Sequence, residues 1–324
     1  MKKIVSIVTA ALMMLTMVLP VFGQTDTSGW KSDETTLTVK KTYTLSGGTV
    51  FPSETLNFTS EADQTNPDTT NVTVDPLTVT QREGNEITVK VPSYSKVGVY
   101  KYTLKETKGS SQGVTYTEEP LKIVVLVEYD YDHQKLKATP QVDKEGQQVG
   151  KDTFMNTYDM GNLTVNKTVT GNLADKSKLF TIHVTLNAKD TVNSDITVNG
   201  GSDASNNKKI DKGWIGEKTV DIKLKHEETV TFSDVPAGVT YKVAEDASHT
   251  SGELNSSEGY KASYTNETGS ITKETASQAK IVNEKKTAIQ TGISLDNLPY
   301  ILMVAFVLVF AGFMIVRRRR QSDI

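Results

Sequence analysis

The sequence predicts an all-β ectodomain of two tandem β-sandwich domains, held between an apolar leader and an apolar tail. Three observations carry that expectation. Period-two alternation recurs, as in Glu86-Ile87-Thr88-Val89-Lys90-Val91 and Thr219-Val220-Asp221-Ile222-Lys223-Leu224, and such runs send alternate side chains to opposite faces of a half-buried strand. Turn-forming clusters such as Ser46-Gly47-Gly48 and Asn199-Gly200-Gly201-Ser202 separate the runs, as in a sandwich. Finally, the chain repeats itself, and outside the tail it shows no long amphipathic helical pattern.

The repeat has three parts in the same order. Leu37-Thr38-Val39-Lys40-Lys41 returns as Leu163-Thr164-Val165-Asn166-Lys167. Gly98-Val99-Tyr100-Lys101-Tyr102-Thr103-Leu104-Lys105-Glu106 returns as Gly238-Val239-Thr240-Tyr241-Lys242-Val243-Ala244-Glu245. Thr153-Phe154-Met155-Asn156 returns as Lys280-Ile281-Val282-Asn283. Two similar domains follow, divided near Asp159-Met160-Gly161-Asn162, at residues 24–159 and 160–287. Two copies are too few for a solenoid.

The ends concern export. Met1-Lys2-Lys3, the apolar run Ile4 to Phe22 and the small Gly23 read as a secretory signal peptide, residues 1–23. Leu298 to Val316 is apolar and long enough for one transmembrane helix, residues 298–316. Arg317 to Arg320 follow and stay on the cytoplasmic side, so the rest of the chain lies outside.

Composition excludes several functions. The 324 residues carry a net charge of -3, without the clustered basic face that nucleic acid requires. Cysteine is absent, which removes disulfides, a thiol nucleophile and thiolate metal sites. His133, His183, His226 and His249 lack ligand spacing, so no metal and no cofactor are expected. No Ser-His-Asp order, paired catalytic carboxylates or phosphate loop points to an enzyme.

Strand alternation instead places charge inside. Leu37, Val39 and Lys41 share a face, as do Leu163, Val165 and Lys167. Tyr102, Leu104 and Glu106 align, as do Tyr241, Val243 and Glu245. Phe154 aligns with Asn156, and Ile281 with Asn283. Each domain thus sets one Lys, one Glu and one Asn among apolar residues, although buried charge is costly unless paired. Desolvation favours a neutral amine and a neutral carboxylic acid. A neutral amine is a nucleophile. A protonated Glu donating to the Asn side-chain carbonyl would assist attack on the carboxamide carbon, releasing ammonia and leaving an isopeptide bond. Proximity in the folded core drives such a step, once per site.

Lys on a first strand, Glu on a middle strand and Asn on a last strand resemble the intramolecular isopeptide domains of Gram-positive pilins, immunoglobulin-like domains of the collagen-adhesin B type (CnaB). Phe232-Ser233-Asp234-Val235-Pro236-Ala237-Gly238-Val239-Thr240-Tyr241-Lys242-Val243-Ala244-Glu245 is similar to that family's segment before its Glu, whereas the segment before Glu106 departs from the Pro-x-Gly form. The two-domain layout resembles the streptococcal-type major, or backbone, pilins known as T-antigens. The resemblance implies two bonds, Lys41 to Asn156 assisted by Glu106 and Lys167 to Asn283 assisted by Glu245, with Lys40 a competing neighbour of Lys41. Each bond would tie a first strand to a last strand, as suits a fibre under tension.

The tail also carries a resemblance. Ala288-Ile289-Gln290-Thr291-Gly292, the apolar span and the arginines are similar to a sortase sorting signal, with Ala288-Ile289 where Leu-Pro is usual. Cleavage would fall between Thr291 and Gly292 in a tail of residues 288–324. The family's intersubunit lysine lies shortly before the first Asn. Lys151 and Lys144 are the candidates, with Lys151 preferred, although an ungapped match puts that lysine at Gln148. The implied protein is a shaft subunit of a covalent pilus, secreted and cell wall-anchored. Its partners would be sortase, other copies of itself, minor pilins and peptidoglycan. The alternative is a wall-anchored adhesin or minor pilin with CnaB-type domains.

Overall fold

The computed structural model describes residues 26–143, 152–245, 254–255, 259–286 and 298–321. The expected signal peptide 1–23, Lys144, Lys151, His249, and the tail motif with Thr291 and Gly292 lie outside the described residues.

The described chain is built almost wholly of strands. The first strand, Thr35–Ser46, pairs antiparallel with Asn85–Val91 and parallel with the long strand Thr153–Thr170. A four-stranded sheet ordered Lys135–Val142, Leu121–Asp130, Gly98–Glu106 and Phe58–Ala62 completes this unit. Val39, Ile87, Val89, Tyr102, Leu104, Ile123 and Phe154 fill the space between the two sheets. Each of these residues is an inward position of an alternating run, so the pattern of the sequence becomes the core.

The second unit repeats the plan. Thr153–Thr170 pairs antiparallel with Thr229–Pro236 and parallel with Ala276–Glu284. The opposing sheet is ordered Trp214–Leu224, Phe180–Val192, Thr240–Ala244 and Thr268–Ser270. Leu163, Val165, Ile182, Val184, Ile222, Phe232, Val243 and Ile281 form its core.

At the expected division, Asp159-Met160-Gly161-Asn162 lies in the middle of an 18-residue strand. Its first part pairs with Thr35–Ser46 and its last part with Ala276–Glu284. A register shift between Gly161 and Leu163 marks the change of partner, and a bulge of this kind re-aims a strand without ending it. Glycine is required here by close approach: a Cβ on Gly161 would lie 2.3 Å from the carbonyl oxygen of Thr272. Polar contacts also lock the junction. Gln112 Oε1 accepts from the backbone N–H groups of Lys189 and Asp190, each at 3.2 Å, and Gln112 Nε2 donates to the carbonyl of Ala237 at 2.7 Å.

A helix covers Leu298–Gln321. Among the described residues no helix is long and apolar enough to cross a membrane.

Candidate functional site

The structure brings each Lys, Glu and Asn set together. On the first strand Val39, Lys41 and Tyr43 face inward, and Lys40 is exposed on the other face. In the parallel pairing Lys41 stands beside Phe154, and Asn156 lies two residues further along on the same face. Lys167 stands beside Ile281, with Asn283 two residues further along. The two sites therefore share one register. Glu106 closes its strand from the opposing sheet, and Glu245 follows Thr240–Ala244 in the same way.

In the first site Lys41 Nζ lies 2.6 Å from Glu106 Oε2, with both side chains fully closed to solvent. Asn156 Nδ2 donates to Glu106 Oε1 at 2.6 Å. Burial pushes the Lys41 amine below its ordinary pKa, more strongly than Glu106 and Glu54 pull it up. A buried pair of full charges is costly, and moving one proton from Lys to Glu removes both charges.

The carboxamide is turned the opposite way from the sequence expectation. Asn156 Oδ1 accepts from the backbone N–H of Thr117 at 2.9 Å. A backbone N–H can only donate, so the atom facing it is the oxygen. Glu106 therefore meets the amide nitrogen and not the carbonyl.

In the second site Lys167 Nζ lies 2.6 Å from Glu245 Oε1, without the alignment of a good hydrogen bond. Asn283 Nδ2 donates to Glu245 at 2.8 Å and 3.1 Å. Asn283 Oδ1 is buried with no hydrogen-bond partner among the described residues. Burial lowers the Lys167 amine to about 8, outweighing the Glu245 charge that raises it. Aromatic rings line both amines: Tyr43 has its centroid 5.1 Å from Lys41 Nζ, and Phe180 has its centroid 4.6 Å from Lys167 Nζ.

Sequence reasoning missed Thr117, Tyr43 and Glu54. The Tyr43 hydroxyl donates to Glu54, which also accepts from Ser111 Oγ at 2.7 Å and from the Tyr116 hydroxyl at 2.5 Å. Burial and the Glu54 charge hold the Tyr43 phenol above its ordinary range. Tyr43 was accessible from alternation, two residues beyond Lys41. Nothing in the sequence marks the other two.

Residues 37–159 match the family described as Spy0128-like isopeptide containing domain. Residues 161–285 match a domain of unknown function (DUF7601). A curated pilin of Streptococcus pyogenes serotype M1 is 30% identical over 230 residues, an alignment spanning 65% of this chain and 65% of that protein. The match thus covers slightly under two thirds of that relative's length. Crystal structures of two variants of the major pilin from Streptococcus pyogenes are similar in fold. One is 24% and the other 25% identical; each is matched over 78% of this chain and 99% of the other, with a TM-score of 0.52.

Proposed function

We propose, from the match of residues 37–159 to the Spy0128-like isopeptide containing domain family, that this chain is the shaft subunit of a covalent pilus on a Gram-positive cell surface. Its two immunoglobulin-like domains are each closed by an autocatalytic Lys-Asn isopeptide bond. One observation carries the reading: a buried Lys and Asn meet a Glu whose side chain is closed to solvent, twice in the same strand register.

The chemistry follows from the contacts. Glu106 takes a proton from the Lys41 ammonium and leaves a neutral amine. Nζ attacks the side-chain carbonyl carbon of Asn156. As the bond from that carbon to Nδ2 breaks, Nδ2 receives a proton through Glu106 and leaves as ammonia. Nζ gives its second proton to the Glu106 carboxylate, which ends protonated, and holds the acyl group as a neutral amide. Atoms balance, no cofactor enters, and the carboxylate touches both nitrogens from the start. Glu245 serves Lys167 and Asn283 in the same way. Each site reacts once, so the chain is a structural subunit.

The tail supports export and attachment. In the helix Leu298–Gln321 the side chains of Ile301, Leu302, Phe306, Val307, Phe310 and Phe313 are exposed, and a helix apolar on all sides suits lipid. We assign residues 298–316 as a membrane span held by Arg317 to Arg320, with the signal peptide 1–23 directing export. Sortase would then cut between Thr291 and Gly292 and join Thr291 to Lys151 of the next copy, with Lys144 the second choice. Transfer to peptidoglycan would fix the polymer to the wall.

Immunoblots of wall extracts test this reading. The wild-type chain is expected to give a ladder of high-mass species, and a variant carrying both Lys151→Arg and Lys144→Arg is expected to give none. A wild-type chain that never forms a ladder contradicts the shaft reading and favours a wall-anchored adhesin or minor pilin.

A further inference from the structure

The cross-linking chemistry leaves one demand unmet. When an amine adds to a carboxamide carbon, negative charge develops on the carbonyl oxygen. In the resting site both oxygens of Glu106 face nitrogens, not the carbonyl oxygen. The group at the Asn156 oxygen is the backbone N–H of Thr117, at 2.9 Å.

That N–H is held in place before any reaction. Val114–Thr115 pairs antiparallel with the long strand, Thr115 beside Thr157 and Val114 beside Tyr158, so the chain that follows runs back alongside Asn156. Tyr116 fixes the approach: its hydroxyl donates to Glu54 at 2.5 Å and accepts from the backbone N–H of Ser111 at 2.9 Å. A donor already fixed against a buried carboxamide requires little reorganisation when charge appears, which is the condition for transition-state stabilisation.

We infer that the Thr117 backbone N–H is a catalytic group of the first cross-linking site, polarising the Asn156 carbonyl and binding the oxyanion of the tetrahedral intermediate. This rests on the isopeptide reading above and adds a fourth participant to it. Nζ of Lys41 bonds to the carbonyl carbon, the π electrons move onto Oδ1, and Thr117 N–H holds that charge. The carbonyl then re-forms as Nδ2 departs with the proton from Glu106. The Thr117 proton itself is never transferred. The second site lacks this feature among the described residues, where Asn283 Oδ1 is buried without a donor.

The test separates the backbone from the side chain. The full chain is made in a pulse of cell-free synthesis with detergent, and ammonia loss is timed at each site by mass spectrometry of proteolytic peptides. Thr117→Ala keeps the N–H and loses only a 3.3 Å contact from the Glu119 N–H to the hydroxyl. It is expected to close the first bond at the wild-type rate. Thr117→Pro removes the N–H and is expected to slow the first bond by about 10² to 10³-fold, as for loss of an oxyanion donor, while the second bond closes normally. First-bond closure by Thr117→Pro at the wild-type rate overturns the inference, as does equal slowing in Thr117→Ala. If Thr117→Pro fails to fold, judged by loss of the second bond also, hydrogen exchange at Thr117 in the unbonded Glu106→Gln chain decides. Protection of that amide supports the inference, and exchange at the open-chain rate overturns it. A wild-type chain that forms no bond at all fails the underlying reading instead.

Discussion

Lys41 and Glu106 meet at 2.6 Å with both side chains shut off from solvent, and the other oxygen of the same carboxylate takes the amide nitrogen of Asn156. The carboxylate lies between the nitrogen that would gain the acyl group and the nitrogen that would leave. Glu106→Gln keeps the shape and removes the proton carrier. Peptide mass analysis is expected to show the first ammonia retained and the second lost. Glu245→Gln is expected to give the reverse. Loss of both ammonias in Glu106→Gln would remove that residue from the chemistry.

The ion pair also makes a stability prediction. Asn156→Ala removes the bond but keeps Lys41 beside Glu106. Lys41→Met removes the bond and leaves a buried carboxylate unpaired, which costs about 3–5 kcal/mol. Lys41→Met is therefore expected to unfold in urea well before Asn156→Ala, and adding Glu106→Leu to Lys41→Met is expected to recover most of the difference. Equal midpoints for Lys41→Met and Asn156→Ala would contradict the buried pairing.

Each proposed cross-link would enclose nearly a whole domain. By chain entropy, a link closing a loop of about 100 residues stabilises by about 4.7 kcal/mol. Asn156→Ala and Asn283→Ala are each expected to lose stability of that order, read as lower thermal midpoints and faster tryptic cleavage. A doubly substituted chain as resistant as wild type would mean that the links carry no load.

The second amine predicts a pH dependence in the unbonded protein. In Asn283→Ala the Lys167 amine remains buried, with a folded value of about 8 against 10.5 when free. Between these values the unfolded chain binds more protons, so stability rises with pH there and the penalty is fully present below about 8. Buried tyrosines such as Tyr43 and Tyr102, held above their ordinary range, act in the opposite direction at higher pH. Chemical denaturation is therefore compared with Lys167→Met plus Asn283→Ala between pH 8 and 9.5. The single variant is expected to gain on the double one across that window. A constant difference would contradict the assignment.

Much of the site was legible in the sequence because strand alternation is a strict rule. It placed Lys41 and Lys167 on apolar faces, and both are buried. It also aligned Glu106 and Asn156 with the residues that surround them. The continuity of one strand through the division was not legible, because the reason for Gly161 is a close backbone approach that only the folded chain creates. Nor was the orientation of the Asn156 carboxamide legible. Thr117 sets it with a backbone N–H, a group that every non-proline residue carries. Glu54 likewise gave no signal, since its three hydroxyl donors come from Tyr43, Ser111 and Tyr116, scattered along the chain.

The central claim is that each domain closes on itself through a Lys-Asn bond. Mass spectrometry of the protein released from the cell wall tests it most directly. The account predicts two branched proteolytic peptides, one joining the Lys41 segment to the Asn156 segment and one joining Lys167 to Asn283, each lighter than its two parts by one ammonia. Recovery of all four segments as separate, full-mass peptides would contradict it.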